Sequence, residues 1–223
     1  MISTKNPPLL LGHRGARRIA PENTLTAFDL ALTHGCDGFE FDVRSTADQR
    51  AIVCHDLTLA GLPIAETTYS AILEKYSAAT CLEDVIARYD GRAYLDIELK
   101  VPGLEKKLVT LVASLAVNTY VVSSFLPEVL QTIYHLQPTI PLGWICDQEQ
   151  TLAQWREIPC TVVIPECKLV TQTLIDEIHS ARKKIFVWTV NQEEEMLRLG
   201  KAGVDAIISD DTGLLGRVFS RLR

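Results

Sequence analysis

Short runs rich in aliphatic and β-branched residues recur along this chain, and after each run apolar residues return every three or four positions. The runs predict strands at Leu9–His13, Phe39–Val43, Tyr94–Leu99, Tyr120–Ser124, Leu142–Cys146, Thr161–Pro165, Ile185–Val190 and Ala206–Ser209. Between them the longer period predicts helices. One follows Asn23, with Leu25, Phe28 and Leu32 on a face, and one follows Thr80, with Leu82, Val85 and Ile86. Others are expected at Leu104–Leu115, Pro127–Leu136, Thr151–Ile158, Thr171–Arg182 and Thr212–Leu222, and one after Asn191 that runs through Met196, Leu197 and Leu199 and stops at Gly203. Asn23, the pair Thr80 and Glu83, and the pair Asn191 and Glu194 are the residue types that cap helix starts. Strand and helix alternating eight times, at about 28 residues per unit, predict an α/β fold that closes as a (β/α)₈ TIM barrel rather than an open sheet.

The stretch from Ala51 to Ala79 breaks this rhythm. A second short strand, Ala51–Cys54, follows the second barrel strand, and a longer excursion precedes the next helix. It reads as an elaborated loop with too little apolar surface for a core of its own. No linker or low-complexity run interrupts the rest, so residues 1–223 read as one barrel domain.

Charge narrows the partners. The chain has 22 Lys and Arg against 28 Asp and Glu, a net charge of −6. Nucleic acid and anionic lipid are bound through excess cations, so neither a nucleic-acid partner nor stable membrane association is expected. Any phosphate must be met by a few local cations. No apolar run reaches the ~20 residues of a spanning helix, and Met1 to Pro8 lacks a signal-peptide core. The six cysteines, at positions 36, 54, 81, 146, 160 and 167, show no two-residue spacing of the zinc or redox kind. They read as reduced, mostly buried thiols, and a cytoplasmic location is expected.

Charges on inward strand faces carry the candidate chemistry. In Phe39–Val43 the carboxylates of Glu40 and Asp42 share one side and the apolar residues the other. In the next barrel strand Asp96, Glu98 and Lys100 oppose Leu95, Ile97 and Leu99. Crowded carboxylates share a proton or bind a cation, so Glu40, Asp42 and Glu98 are expected to converge on one divalent metal, Mg²⁺ or Ca²⁺ by the hardness of their oxygens. His13 and Arg14 leave the first strand at the same rim, and His55 follows Ala51–Cys54 directly before Asp56. Two imidazoles beside a metal can divide the base and acid tasks; either is competent for either, with His13 favoured as base and His55 as acid. Arg14 and Lys100 are the local cations for an anionic substrate. Phe125 and Trp188, at strand ends, can supply an apolar or cation-binding wall. His34, His135 and His179 fall in or at the ends of helices and read as structural, and Asn191 reads as a helix cap.

The segments His13-Arg14-Gly15-Ala16, Pro21-Glu22-Asn23-Thr24, Glu40-Phe41-Asp42, His55-Asp56 and Glu98-Leu99-Lys100, in this order, resemble the signature of the glycerophosphodiester phosphodiesterase family. The likeness continues through Ser123-Ser124-Phe125, Trp188-Thr189-Val190-Asn191 and Gly203 to Asp210, nearly the whole chain. The resemblance implies a (β/α)₈ barrel that uses a divalent metal to hydrolyse a small-molecule glycerophosphodiester to sn-glycerol 3-phosphate and an alcohol. It implies Glu40, Asp42 and Glu98 as metal ligands, His13 and His55 as the acid/base pair, and Arg14 and Lys100 as phosphate-binding residues. The chain departs from the family pattern after His55-Asp56, where Leu57-Thr58-Leu59-Ala60-Gly61-Leu62-Pro63 lacks the usual acidic and basic residues, and its following insertion is shorter than in many relatives. That leaves a mouth open to a bulkier alcohol. Two other readings stand beside this one: a phospholipase D-type enzyme acting on lysophospholipid or sphingomyelin, and a non-catalytic barrel that senses a phosphodiester or metal.

Overall fold

A strand with apolar residues at every second position must cover that face, and in a closed barrel the other face meets the other strands across a narrow interior. The computed structural model describes residues 7–220. Its strands are β1 (Leu9–His13), β2 (Gly38–Ser45), β3 (Ala51–Val53), β4 (Thr58–Leu59), β5 (Leu62–Pro63), β6 (Tyr94–Leu99), β7 (Tyr120–Ser124), β8 (Leu142–Cys146), β9 (Val162–Pro165), β10 (Lys184–Val187) and β11 (Ala206–Ser209). Its helices are α1 (Leu25–Thr33), α2 (Tyr69–Lys75), α3 (Leu82–Tyr89), α4 (Glu105–Val112), α5 (Pro127–Leu136), α6 (Glu149–Leu152), α7 (Gln172–Ser180), α8 (Glu193–Ala202) and α9 (Thr212–Phe219). Among the described residues, β1, β2 and β6 to β11 are parallel neighbours in sequence order, and β11 pairs back with β1 to close the barrel.

Alternation sorts the side chains into two layers. Outward, Phe39 and Phe41 meet Phe28 of α1 and Tyr89 of α3, with the Phe28 and Phe39 rings stacked at 4.1 Å. Inward, Leu11, Val121, Ile145, Ile164, Phe186 and Ile208 fill the barrel below its C-terminal rim. The turn leaving β1 depends on Gly15, whose φ is +79° and where a Cβ would come within 2.8 Å of Ala27.

Several local expectations change. Thr24, not Asn23, caps α1, its hydroxyl accepting from the Ala27 N–H at 3.2 Å. Cys81, not Thr80, precedes α3; the Thr80 hydroxyl donates to the Ala78 carbonyl, and the Glu83 carboxylate pairs with Lys107 at 2.9 Å instead of forming a capping box. Gln192 precedes α8, and Asn191 is engaged elsewhere, whereas Gly203 ends that helix at φ +90° as expected. The expected helix Thr151–Ile158 is the short α6 followed by a 3₁₀ turn, Ala153–Arg156, because the Trp144 indole N–H takes the Thr151 carbonyl that a continuing α-helix would use. β10 stops at Val187 rather than Val190, and Trp188 then bridges to Glu166. The last two residues of the expected Thr212–Leu222 helix, and the first six of the chain, lie outside the described residues.

The excursion after β2 folds back on it, with β3 antiparallel to β2 and a small β4–β5 hairpin beyond. It does gather an apolar cluster of its own, Ile52, Cys54, Ile64, Ile72 and Ala79, contrary to the expectation from its length. All six cysteines are free, and five are buried. Among the described residues no helix is long and apolar enough to cross a membrane.

Candidate active site

Strand register does the assembling. Across β1 and β2, His13 stands opposite Glu40; across β2 and β6, Glu40 stands opposite Asp96 and Asp42 opposite Glu98. Glu40, Asp42 and Glu98 are at most 6% exposed, and each brings a carboxylate oxygen within 4.8 Å of the others. Burial and the charges of Asp42 and Glu98 push Glu40 well above the ordinary carboxylate range. Burial also raises Glu98, with Asp42 adding and Lys100 opposing, to about 7, and it raises Asp96 to about 7. Burial works the same way on Asp42, but the Lys100 and Arg14 charges and a hydrogen bond from Asn23 outweigh it and hold that group low.

Glu40 Oε1 and Asp96 Oδ2 are buried without a hydrogen-bond partner among the described residues. Asp42 Oδ1 and Glu98 Oε1 face the Lys100 ammonium at 3.4 and 2.6 Å. Four carboxylates thus crowd against Arg14 and Lys100, an imbalance that a divalent cation would offset. Hard oxygen donors of this kind suit such an ion, so the cluster fits a divalent metal held by Glu40, Asp42 and Glu98.

Both rim histidines are oriented by carboxylates through Nδ1. His13 Nδ1 lies 2.7 Å from Asp210 Oδ1, and its Nε2 is 3.9 Å from Glu40 Oε2. His55 Nδ1 lies 2.8 Å from Asp56 Oδ1. A carboxylate on Nδ1 selects the tautomer with its proton there and leaves Nε2 for chemistry. Burial lowers the His13 pKa against the opposing bond from Asp210, so the imidazole is held uncharged. The backbone carbonyl of His55 accepts from Arg44 Nε at 2.7 Å, which ties the start of the loop to β2.

Arg14 occupies the left-handed region at φ +55°, where its N–H donates to Glu40 Oε2 at 2.9 Å. Its guanidinium is braced by Glu22 at 2.9 Å and Asp42 at 3.2 Å. The Lys100 ammonium lies 5.5 Å from the centre of the Phe125 ring, which meets the Trp188 ring edge-on at 5.6 Å. One cleft of about 120 Å³ is lined by His13, Arg14, Glu40, His55, Glu98 and Lys100. Phe125 and Trp188 form its apolar wall. His34, His135 and His179 are bonded to Thr212, Gln131 and Asp205, away from this cleft.

Sequence reasoning gave no role in the site to the residues that brace it, and read Asn23 and Asn191 as helix caps. Asp210 accepts from Asn191 Nδ2 at 2.7 Å, and Asn191 Oδ1 in turn accepts from the Asp210 N–H and the Ser209 hydroxyl. Asn23 Nδ2 donates to Asp42 Oδ2 at 2.9 Å, and the Ser123 hydroxyl donates to Asp96 at 2.5 Å. The available signal was adjacency: β11 neighbours β1 with Gly12 opposite Ser209, so the next residue along β11 stands beside His13.

The chain resembles known proteins over almost its full length. The family model for the glycerophosphoryl diester phosphodiesterase family matches residues 13–214. A glycerophosphodiester phosphodiesterase of Bacillus altitudinis is 30% identical over 230 residues, covering 90% of this chain and 94% of the relative. One of Caldanaerobacter subterraneus is 28% identical over 228 residues, covering 91% and 94%. Among solved structures, an Oleispira antarctica phosphodiesterase in complex with the product sn-glycerol-3-phosphate aligns with a TM-score of 0.80 at 25% identity, over 96% of this chain and 97% of that one. A Thermotoga maritima glycerophosphodiester phosphodiesterase shares the fold, with a TM-score of 0.83 at 24% identity over 98% and 99%.

Proposed function

This chain belongs to the glycerophosphoryl diester phosphodiesterase family, and from that premise we propose that it hydrolyses glycerophosphodiesters to sn-glycerol 3-phosphate and an alcohol through His13 and His55. The observation that carries this reading is that Glu40, Glu98, His13, His55, Arg14 and Lys100 line one cleft, with Asp42 buried within 4.8 Å of both carboxylates and with a carboxylate on Nδ1 of each imidazole. Glu40, Asp42 and Glu98 would hold Mg²⁺ or Ca²⁺, and the bound ion supplies positive charge against the charge that develops on the phosphoryl oxygens.

Arg14, with its fork braced by Glu22 and Asp42, and Lys100, pinned between Glu98 and Asp42, bind and orient the phosphodiester. His13, buried and uncharged, takes the proton of the attacking oxygen at Nε2. His55, at the more open side, acts from its doubly protonated form, held at Nδ1 by Asp56, and gives the Nε2 proton to the departing alkoxide as the phosphorus–oxygen bond breaks. The apolar wall of Phe125 and Trp188 limits water beside the Lys100 ammonium and strengthens its hold on the phosphate. Free, mostly buried cysteines suit a cytoplasmic setting.

A panel of glycerophosphodiesters, read by release of sn-glycerol 3-phosphate, tests this. Turnover is expected with Mg²⁺ or Ca²⁺ and is expected to vanish with a chelator and return on adding the ion. Hydrolysis of dispersed lysophospholipid but not of glycerophosphocholine would move the substrate class to the phospholipase D type, and full turnover in chelator would contradict the assigned ligands.

A further inference from the structure

Beyond His13 the chain makes one tight turn before α1. The N–H groups of Ile19 and Ala20 both reach back to the Ala16 carbonyl at 3.1 Å, and the Asn23 N–H closes the loop on the Arg14 carbonyl at 3.1 Å. That turn carries Arg17, whose side chain is half-buried and lies outside the lining of the catalytic cleft. Its two terminal nitrogens go to different carboxylates. Nη2 lies 2.8 Å from Glu22 Oε2, and the other oxygen of Glu22 accepts from Arg14 Nη1 at 2.9 Å. Nη1 lies 3.5 Å from Asp210 Oδ1, the oxygen that His13 Nδ1 meets at 2.7 Å. On the far side, the Arg14 N–H and His13 Nε2 both face Glu40 Oε2, at 2.9 and 3.9 Å. Arg14, Glu22, Arg17, Asp210, His13 and Glu40 therefore form a ring in which each residue touches the next.

We propose that Arg17 is a positioning residue for the hydrolysis, acting on its two halves at once: through Glu22 it aims Arg14 at the phosphate, and through Asp210 it aims His13 at the attacking oxygen. The inference rests on the reading given above, in which Arg14 binds the diester and His13 takes the proton. Each carboxylate changes when the guanidinium is removed. Glu22 is left with Arg14 alone to answer its charge, so it draws on the guanidinium that the phosphate needs and is held at one oxygen instead of two. Asp210 keeps the Asn191 amide on Oδ2 at 2.7 Å but loses the cation beside Oδ1, and the imidazole it orients is less firmly fixed. A planar fork with two nitrogens at a set separation can bridge both carboxylates, whereas an ammonium is a single point of charge and meets one at a time. Ion pairs as exposed as these add little to stability, so the loss of Arg17 is expected to show in kinetics rather than in melting.

Steady-state kinetics on glycerophosphocholine, with release of sn-glycerol 3-phosphate as the readout, tests this. Arg17→Met is expected to lower kcat about tenfold and to raise KM about fivefold, with a melting temperature near the native one. Arg17→Lys is expected to fall between the two and carries the test if the methionine variant does not fold. Arg18→Met removes the neighbouring cation, which is 63% exposed and paired with Asp211 at 3.0 Å, and is expected to leave both constants at their native values. Two double-mutant cycles then separate the halves. In Glu22→Gln protein, Arg17→Met is expected to lower kcat further but to add little to KM; in Asp210→Asn protein it is expected to raise KM further but to add little loss in kcat. A structural fault would instead lower the active fraction, and with it kcat, in every background while leaving KM alone. Native constants in Arg17→Met, equal losses in Arg18→Met, or losses that multiply unchanged through both backgrounds would overturn the role of Arg17 and leave the hydrolytic function standing. No turnover of any glycerophosphodiester by the native protein would overturn the function itself.

Discussion

Glu40→Gln is expected to lower kcat by about a thousandfold or more while raising the melting temperature of the metal-free protein. The two effects come from one cause. Glu40 Oε1 is buried with no hydrogen-bond partner, and burial with the neighbouring charges of Asp42 and Glu98 makes the ionised form costly. An amide of the same shape keeps an oxygen for the Arg14 N–H, now at 2.9 Å from Oε2, and removes the repulsion. The expected gain is about 1–2 kcal/mol, or about 2–8 °C for a chain of this size. Function loses what stability gains, because a ligand to the divalent ion is gone, and metal-derived charge stabilisation of several kcal/mol corresponds to about three decades in rate. Calorimetry in chelator and steady-state kinetics in excess Mg²⁺ measure the two sides. A Glu40→Gln protein that is both less stable without metal and nearly as active with it would contradict the role of this carboxylate.

His13→Ala and His55→Ala are each expected to reduce kcat by about 10²–10⁴-fold with little change in KM, since a proton-transfer group acts on the transition state more than on the bound substrate. The rank among their supporting residues is a finer test. Asp210→Asn keeps the size of the side chain but weakens the bond that fixes the His13 tautomer, so it is expected to cost less than His13→Ala and to shift the pH profile of kcat along with its height. Asp56→Asn acts on His55 in the same way, but from a more exposed position, and is expected to cost less than Asp210→Asn. Full turnover in either alanine variant would remove that imidazole from the reaction.

The barrel was legible because its signal is periodic and repeated. The ranges Leu9–His13, Tyr94–Leu99, Tyr120–Ser124, Leu142–Cys146 and Ala206–Ser209 coincide in sequence and structure, each being a β-rich run with clear flanks. The carboxylates of β2 and β6 were legible for the same reason: alternation fixes a side chain's face without knowledge of its neighbour. What alternation cannot give is the partner. Asn23, Thr80 and Asn191 all sit where a cap belongs, and a polar side chain before a helix can satisfy the first turn or reach across the fold. Asn23 reaches Asp42 and Asn191 reaches Asp210, each 19 residues away, and those bonds depend on strand register rather than on local spacing. His55 became a neighbour of the cluster through the antiparallel return of β3, where Val53 stands opposite Val43. The expected helix Thr151–Ile158 gives way to a short helix and a 3₁₀ turn because the Trp144 indole competes for the Thr151 carbonyl, a tertiary contact that no helical period reveals.

Everything in the mechanism descends from the convergence of Glu40, Asp42 and Glu98 on one ion. Calorimetric titration of Mg²⁺ and of Ca²⁺ into chelator-treated protein, repeated with Asp42→Asn, tests that convergence without reference to turnover. The expected result is saturable binding of one ion per chain that the substitution weakens severely, because Asp42 is the cluster member held ionised by Lys100, Arg14 and Asn23 against its burial. Absence of saturable binding in the native protein, or binding that Asp42→Asn leaves unchanged, would contradict it.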